Sequence, residues 1–180
     1  MDKILEEKLK KAKQASRQMM KVNSQTKNEA LELISKALLN HIDEIILENQ
    51  KDIQNAKDNH MSSAMIDRLL LDEKRIISIA NDVKKLITLK DPIGDIIRDI
   101  SRPNGLHIQQ VRVPIGVFGI IYESRPNVTV DIACLCIKSS NVCVLKGGKE
   151  ALHSNKILTQ IMRDAIKDIL PMEAIQLIEN

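Results

Sequence analysis

Aromatic side chains are almost missing from this sequence: one Tyr, one Phe and no Trp among 180 residues. Without them there is no stacking platform for single-stranded nucleic acid. A net charge of +3 is too small to point to a polyanionic partner. The N-terminal lysines alternate with glutamates, as on a solvated helix face. No apolar run approaches the roughly 20 residues of a membrane span. The charged N-terminus has no signal-peptide apolar region. A cytoplasmic protein that engages neither nucleic acid nor membrane is expected. Cysteine is scarce too: Cys134, Cys136 and Cys143, an odd number that makes no disulfide framework. Cys134-Leu135-Cys136 is not a CxxC pair and has no histidine beside it, so no metal centre is expected. The three thiols lie among Ile, Val, Leu and Ala, surroundings that raise a thiol pKa and suppress reactivity. They read as reduced core residues. His41, His60, His107 and His153 are scattered and read as surface residues.

What is present begins with helices. Leu5, Leu9, Ala12, Ala15 and Met19 follow helical spacing between Asp2 and Val22. Thr26-Lys27-Asn28-Glu29 fits a capping box ahead of Leu31, Ile34 and Leu38. A third helix is predicted from His41 to Lys57, with Ile42, Ile45, Ile46 and Ile53 inward. Ser62 or Ser63 starts a short helix through Leu70, and Asp72 caps a longer one carrying Ile76, Ile79, Ala80, Val83 and Leu86. Asp91-Pro92-Ile93-Gly94 breaks this pattern. Two extended runs follow, Asp95–Ile100 and Leu106–Val113, joined through Asn104-Gly105, a strong hairpin signal. Strand and helix then alternate: Ile115–Ile121, Thr129–Lys138, Val142–Leu145, Ala151–Ile169 and Ala174–Ile178. Crossovers of that length imply a parallel sheet. The predicted organisation is a helical region at 1–90, a hairpin at 91–113 and an incomplete α/β region at 114–180.

Two segments carry chemistry. Pro114–Ile121 has the composition of a buried strand, with Gly116 and Gly119 admitting close backbone neighbours. It spills at once into Tyr122-Glu123-Ser124-Arg125-Pro126-Asn127, polar groups at a strand end, with Asn127 or Thr129 able to cap the next helix. On composition alone, Arg125 reads equally as a surface arginine paired with Glu123, and Tyr122 as an amphipathic residue at a sheet edge. The second segment, Lys146-Gly147-Gly148-Lys149-Glu150, follows the next strand and opens a helix. Paired glycines let backbone N–H groups approach an anion, a helix N-terminus favours negative charge, and two lysines add cations. It is neither a P-loop nor GxGxxG, and an ordinary tight turn is the competing reading.

Taken together, Val113–Gly119, Tyr122–Thr129, Leu135–Ser139, Leu145–Ala151 and Ser154-Asn155 resemble the gamma-glutamyl phosphate reductases, the glutamate-5-semialdehyde dehydrogenases of the aldehyde dehydrogenase superfamily. Asp67–Leu71 and Arg102–Leu106 look like family segments as well, so the resemblance runs along nearly the whole chain. It implies an aldehyde-dehydrogenase-like α/β fold with a Rossmann-like parallel sheet. It also implies NADPH-dependent reduction of gamma-glutamyl phosphate to glutamate 5-semialdehyde and phosphate, in proline biosynthesis. In that family a cysteine thiolate attacks the acyl phosphate to form a thioester, which hydride then reduces.

Residue by residue, the resemblance assigns Lys146, Gly147, Gly148, Lys149 and Glu150 to the cofactor's adenosine ribose. Lys149 stands where NAD-preferring relatives carry a glutamate, so a 2′-phosphate is attracted and NADPH favoured. Arg125 falls near the oxyanion-stabilising position of ordinary aldehyde dehydrogenases. With Ser124 and Asn127 it is expected to meet the acyl phosphate, its guanidinium matching phosphate at two points. The hairpin resembles an arm used for subunit contacts, which implies a homo-oligomer. Ser140 replaces a usual glycine at a helix end where φ > 0 is expected, at a cost of up to about 1 kcal/mol. None of the three cysteines occupies the family's nucleophile motif. With a strand predicted just before Asn180, the chain reads as an N-terminal piece of a longer enzyme. Two alternatives stand beside this one: an aldehyde dehydrogenase acting on a free aldehyde, against which the Arg-Pro-Asn loop argues, and a non-catalytic cofactor-binding or assembly protein.

Overall fold

The structure is a computed structural model that describes residues 3–179. Asp2, where the first helix is predicted to start, and Asn180 lie outside the described residues. Five helices come first: α1 (Lys3–Met19), α2 (Ser24–Asn40), α3 (Ile42–Asp58), α4 (Ser63–Leu69) and α5 (Glu73–Thr88). The antiparallel ribbon of β1 (Ile96–Ser101) and β2 (His107–Val111) follows. Then β3 (Val117–Ile121), α6 (Asn127–Lys138), β4 (Val142–Lys146), α7 (Leu152–Ile166) and β5 (Ile175–Leu177) complete a parallel sheet of order β3-β4-β5.

Helix starts follow local chemistry. Ser62 Oγ and Asp72 Oδ1 accept from the N–H groups of Met65 and Arg75, as predicted for α4 and α5. At α2 the prediction is corrected. Asn23, in an extended conformation three residues upstream, accepts from Thr26 N–H at 2.9 Å, so Thr26 is already helical when its cap is made. The predicted apolar stripe of α1 also shifts. Leu9 is exposed, and Ala12, Ala15 and Met19 are buried. The buried row runs through position 8, where Lys8 Nζ reaches Leu177 O at 2.6 Å. α7 stops at Ile166, short of the predicted Ile169, and a tight turn carries the chain into Pro171, whose ring disfavours helix just before it.

One hydrophobic core joins the helical region to the sheet. It includes Leu31, Ile34 and Leu38 of α2, Ile76 and Ala80 of α5, Ile137 of α6, Val142–Leu145 of β4 and Met162 of α7. β4 is central and buried along almost its whole length. β3, predicted as a buried strand, is a half-exposed edge: Ile121 is 86% exposed and a Cβ at Gly119 would meet nothing within 4 Å. Gly116 is needed for its backbone, at φ +117°, and not for close packing. Ser140 adopts φ +56°, as expected for its helix-end position. Cys134, Cys136 and Cys143 are buried free thiols. No helix among the described residues is long and apolar enough to cross a membrane.

Candidate functional site

β3 and β4 are neighbours, with Ile121 paired to Lys146 at their C-terminal ends. The two segments singled out in the sequence therefore leave the sheet side by side, where open α/β sheets bind ligands. Tyr122 N–H donates to Lys146 O at 3.1 Å and extends the ladder one step. Tyr122 OH then donates to Thr129 Oγ1 (2.6 Å), whose own proton goes to Asn155 Oδ1 (2.7 Å). A Cβ at Gly147 would stand 2.1 Å from Asn155 Nδ2 and 3.2 Å from the Tyr122 ring, so a side chain here would displace the Asn155 amide. Asn155 Nδ2 is buried beneath the turn with no hydrogen-bond partner. Burial, only partly offset by the hydrogen bond with Thr129, pushes the Tyr122 phenol above its ordinary pKa.

Ser124 is buried and donates from Oγ to Glu150 Oε1 at 2.7 Å, which binds the 122–127 loop to the 146–150 turn. Arg125 is exposed. Its N–H donates to Glu123 O at 2.6 Å, and its guanidinium makes no salt bridge to Glu123 or to any other described carboxylate. Asn127 caps nothing. Its amide donates to Asp131 Oδ2 at 3.0 Å one helical turn on, while Pro126 occupies the cap position. Thr129 does not cap either. The N–H groups of Val128 and Thr129 are taken by Arg125 O and Pro126 O (3.1 Å each), and this main-chain turn makes a side-chain cap unnecessary. The Asp131 carboxyl is raised above its ordinary value by burial, an effect only partly opposed by Asn127.

The expected anion site at the N-terminus of α7 is already filled from within. Asp52 of α3, 1% exposed, accepts from His153 N–H (3.1 Å), Ser154 N–H (2.8 Å) and Ser154 Oγ (2.7 Å). The turn keeps an exposed Lys149 and a half-buried Lys146, neither of them in a salt bridge among the described residues, beside a glycine pair without side chains. Two free ammonium groups, a backbone cradle and an orphaned amide donor suit the phosphate and ribose hydroxyls of a dinucleotide, so the residues fit such a cofactor.

The chain is similar to curated proteins along nearly its whole length. Over 177 residues the chain is 51% identical to the gamma-glutamyl phosphate reductase of Histophilus somni (strain 2336), covering 98% of the chain and 42% of that protein. It is 49% identical over 174 residues to that of Bacillus subtilis (strain 168), covering 96% of the chain and 42% of the relative. The chain is a homologue of the gamma-glutamyl phosphate reductases. Two solved gamma-glutamyl phosphate reductases superpose closely. That of Thermotoga maritima has a TM-score of 0.96 at 40% identity, covering 98% of this chain and 43% of that one. That of Saccharomyces cerevisiae has a TM-score of 0.91 at 29% identity, covering 97% and 46%. An acetylating aldehyde dehydrogenase of Geobacillus thermoglucosidasius, 16% identical with a TM-score of 0.70, shares the fold. No family model matches the chain. The chain spans about 42% of the length of the curated gamma-glutamyl phosphate reductases it matches.

Cys134 and Cys143 are poor nucleophiles. Burial pushes the Cys134 thiol far above its ordinary pKa, and a hydrogen bond with Cys136 together with burial does the same to Cys143; against the expectation for all three, that hydrogen bond outweighs burial at Cys136 and lowers its thiol. Among the described residues no three His, Cys, Asp or Glu side chains converge as a metal site. The sequence reading missed Asn49 and Asp52. Both lie on the stripe Ile45, Asn49, Asp52, Ala56, at helical spacing on the buried face of α3. Polar residues on an apolar stripe were the available signal. Asn49 Nδ2 donates to Leu69 O (2.7 Å) and to Ser154 Oγ (2.9 Å), completing the support under α7.

Proposed function

We propose that this chain carries the dinucleotide turn and the phosphate-facing loop of an NADPH-dependent gamma-glutamyl phosphate reductase, which forms glutamate 5-semialdehyde and phosphate in proline biosynthesis. The reading rests on one observation above all: the Arg125 loop and the Lys146–Glu150 turn lie on adjacent strand ends and are hydrogen-bonded through Ser124. NADPH, when bound, supplies the hydride. Lys146 and Lys149 bind its ribose and 2′-phosphate over Gly147 and Gly148, whose missing side chains leave room for close approach. Arg125 donates to the acyl-phosphate oxygens, and stabilises charge as phosphate departs. Ser124 holds that loop, and Asn127 lines it at the first turn of α6. The thiolate nucleophile is expected from outside the three buried cysteines.

The same reading divides the chain into a helical region (1–90), a hairpin arm (91–113) and part of the NADP-binding region (114–180), in a cytoplasmic enzyme. The hairpin presents Ile96, Ile97, Ile108 and Val111 to solvent, which supports its use as a homo-oligomer contact. The buried cysteines favour one alternative, in which the chain alone binds cofactor without catalysis.

Titrating the chain with NADPH and with NADH, followed by nucleotide fluorescence, tests the reading. NADPH is expected to bind at least about tenfold more tightly, with Lys149→Glu reversing the preference. Equal affinities that Lys149→Glu leaves unchanged would sink the cofactor assignment. NADPH oxidation by the chain on adding gamma-glutamyl phosphate separates the catalytic reading from binding alone.

A further inference from the structure

We infer that Glu150 is a positioning residue: it does not meet the nucleotide but latches the Arg125 loop to the turn through Ser124. The role of the two segments comes from the function proposed above; the latch rests on geometry alone. The Glu150 carboxylate lies in the space left by Gly148, where a Cβ would fall 2.1 Å from Oε1 and 2.5 Å from Oε2. It is thereby folded back against the backbone of its own turn. Its Oε1 accepts the Ser124 hydroxyl at 2.7 Å. Both ends of this bond are rooted. Glu150 belongs to the 3-10 turn Lys149–Ala151, whose Ala151 is fully buried against Ala56 and Leu69. Ser124 is 7% exposed between two exposed neighbours, Glu123 and Arg125.

Tyr122 is tied down by Lys146 O and Thr129, and Pro126 is buried at the start of α6. Between these two points the Ser124–Glu150 bond is the side-chain tie that holds the loop carrying Arg125. The latch has a functional consequence. A ligand that displaces the turn displaces Glu150 and, through Ser124, the backbone next to Arg125. Two sites linked in this way influence each other reciprocally.

Amide hydrogen exchange of the 180-residue chain, read over residues 122–127 without any ligand, tests the latch directly. Glu150→Ala is expected to speed exchange there by about tenfold while α2 is unchanged, and Ser124→Ala to do the same. The double variant should be no faster than either alone. Glu150→Gln, whose amide oxygen still accepts the Ser124 hydroxyl, should stay within about twofold of the parent. Unchanged exchange in both alanine variants overturns the latch, as does a glutamine variant as fast as the alanine one. If Glu150→Ala does not fold, Ser124→Ala carries the test, because it leaves the carboxylate in place. NADPH added to the same samples separates this inference from the proposed function. A loosened loop in a chain that does not bind NADPH upholds the latch and removes the cofactor reading. NADPH binding with no loosening in either alanine variant does the reverse.

Discussion

Two buried charges, Asp52 and Lys27, lie at opposite ends of the central sheet and are satisfied in different ways. Asp52, beneath the strand ends that carry the candidate site, has no cationic partner among the described residues. It accepts two backbone N–H groups of α7 and the Ser154 hydroxyl, and the α7 dipole favours its charge. Lys27, at the other end, pairs with Asp91 and donates to Ser140 Oγ at 2.9 Å. Nearby, Lys138 Nζ donates to Asn28 Oδ1 (2.8 Å) and Ile87 O (3.2 Å). The first network fixes one helix end rigidly under the ligand-facing turn. The second ties α2, the α6–β4 corner and the root of the hairpin, and includes a carboxylate that water can still reach. A buried carboxylate answered by main-chain donors is hard to replace, whereas an ion pair near the surface has substitutes.

The largest expected effect follows from removing Asp52. Asp52→Ala leaves the first-turn N–H groups of α7 and the Ser154 hydroxyl without their acceptor in a dry site, and is expected to cost about 3–5 kcal/mol. Urea unfolding measures this; a loss under about 1 kcal/mol would break the contrast between the two ends. Lys27→Met comes next, at about 2 kcal/mol, because Asp91 keeps Ser24 Oγ and Ile93 N–H as donors and gains water.

The acid limb sharpens this comparison. Burial raises the Asp91 carboxyl, but hydrogen bonds from Lys27, Ser24 and Ile93 outweigh it and hold the pKa below its ordinary value. A depressed folded pKa means stability that is present above the unfolded value and lost as pH falls through the folded one. The gap between parent and Lys27→Met should therefore be full at neutral pH and narrow below about pH 4. A gap that widens in acid would show that Lys27 acts otherwise than through Asp91.

The smallest effect is expected at Ser140. Ser140→Gly relieves the φ +56° strain, worth up to about 1 kcal/mol, but removes one of the two acceptors of Lys27, worth about the same. The net change should lie within about 1 kcal/mol of zero, and Ser140→Ala should be worse than Ser140→Gly because it keeps the strain. Thermal unfolding of the pair decides it, and equal melting points would remove strain from the account.

Much of the architecture was legible. Apolar spacing located α1, α2, α3 and α5, a cap serine α4, and strand–helix alternation α6 and α7, and Asn104-Gly105 marked the hairpin turn, where Gly105 adopts φ +84°. The positive φ of Ser140 followed from its place at a helix end, and the composition of the 122–127 and 146–150 segments marked them as the candidates. Thr26 was misread as a cap because Thr-x-x-Glu is a local pattern and Asn23, earlier in the chain, had already made the bond. β3 was read as buried because apolar composition does not distinguish a central strand from an edge one. Asp52 was overlooked for a different reason: its partners lie about a hundred positions away, and no local pattern records them.

By itself the sequence determined which segments become helices and strands, where the chain turns, and which residue types stand at the ends of β3 and β4, because these depend on propensity, periodicity and caps within a few residues. Only the tertiary structure decided that the Arg125 loop and the Lys146–Glu150 turn leave the same end of the sheet side by side, that Ser124 and Glu150 join them, and that Asp52 occupies the helix end expected to face a ligand. Those outcomes depend on which distant groups packing brings within hydrogen-bonding distance, and on how little unsatisfied charge a dry interior tolerates.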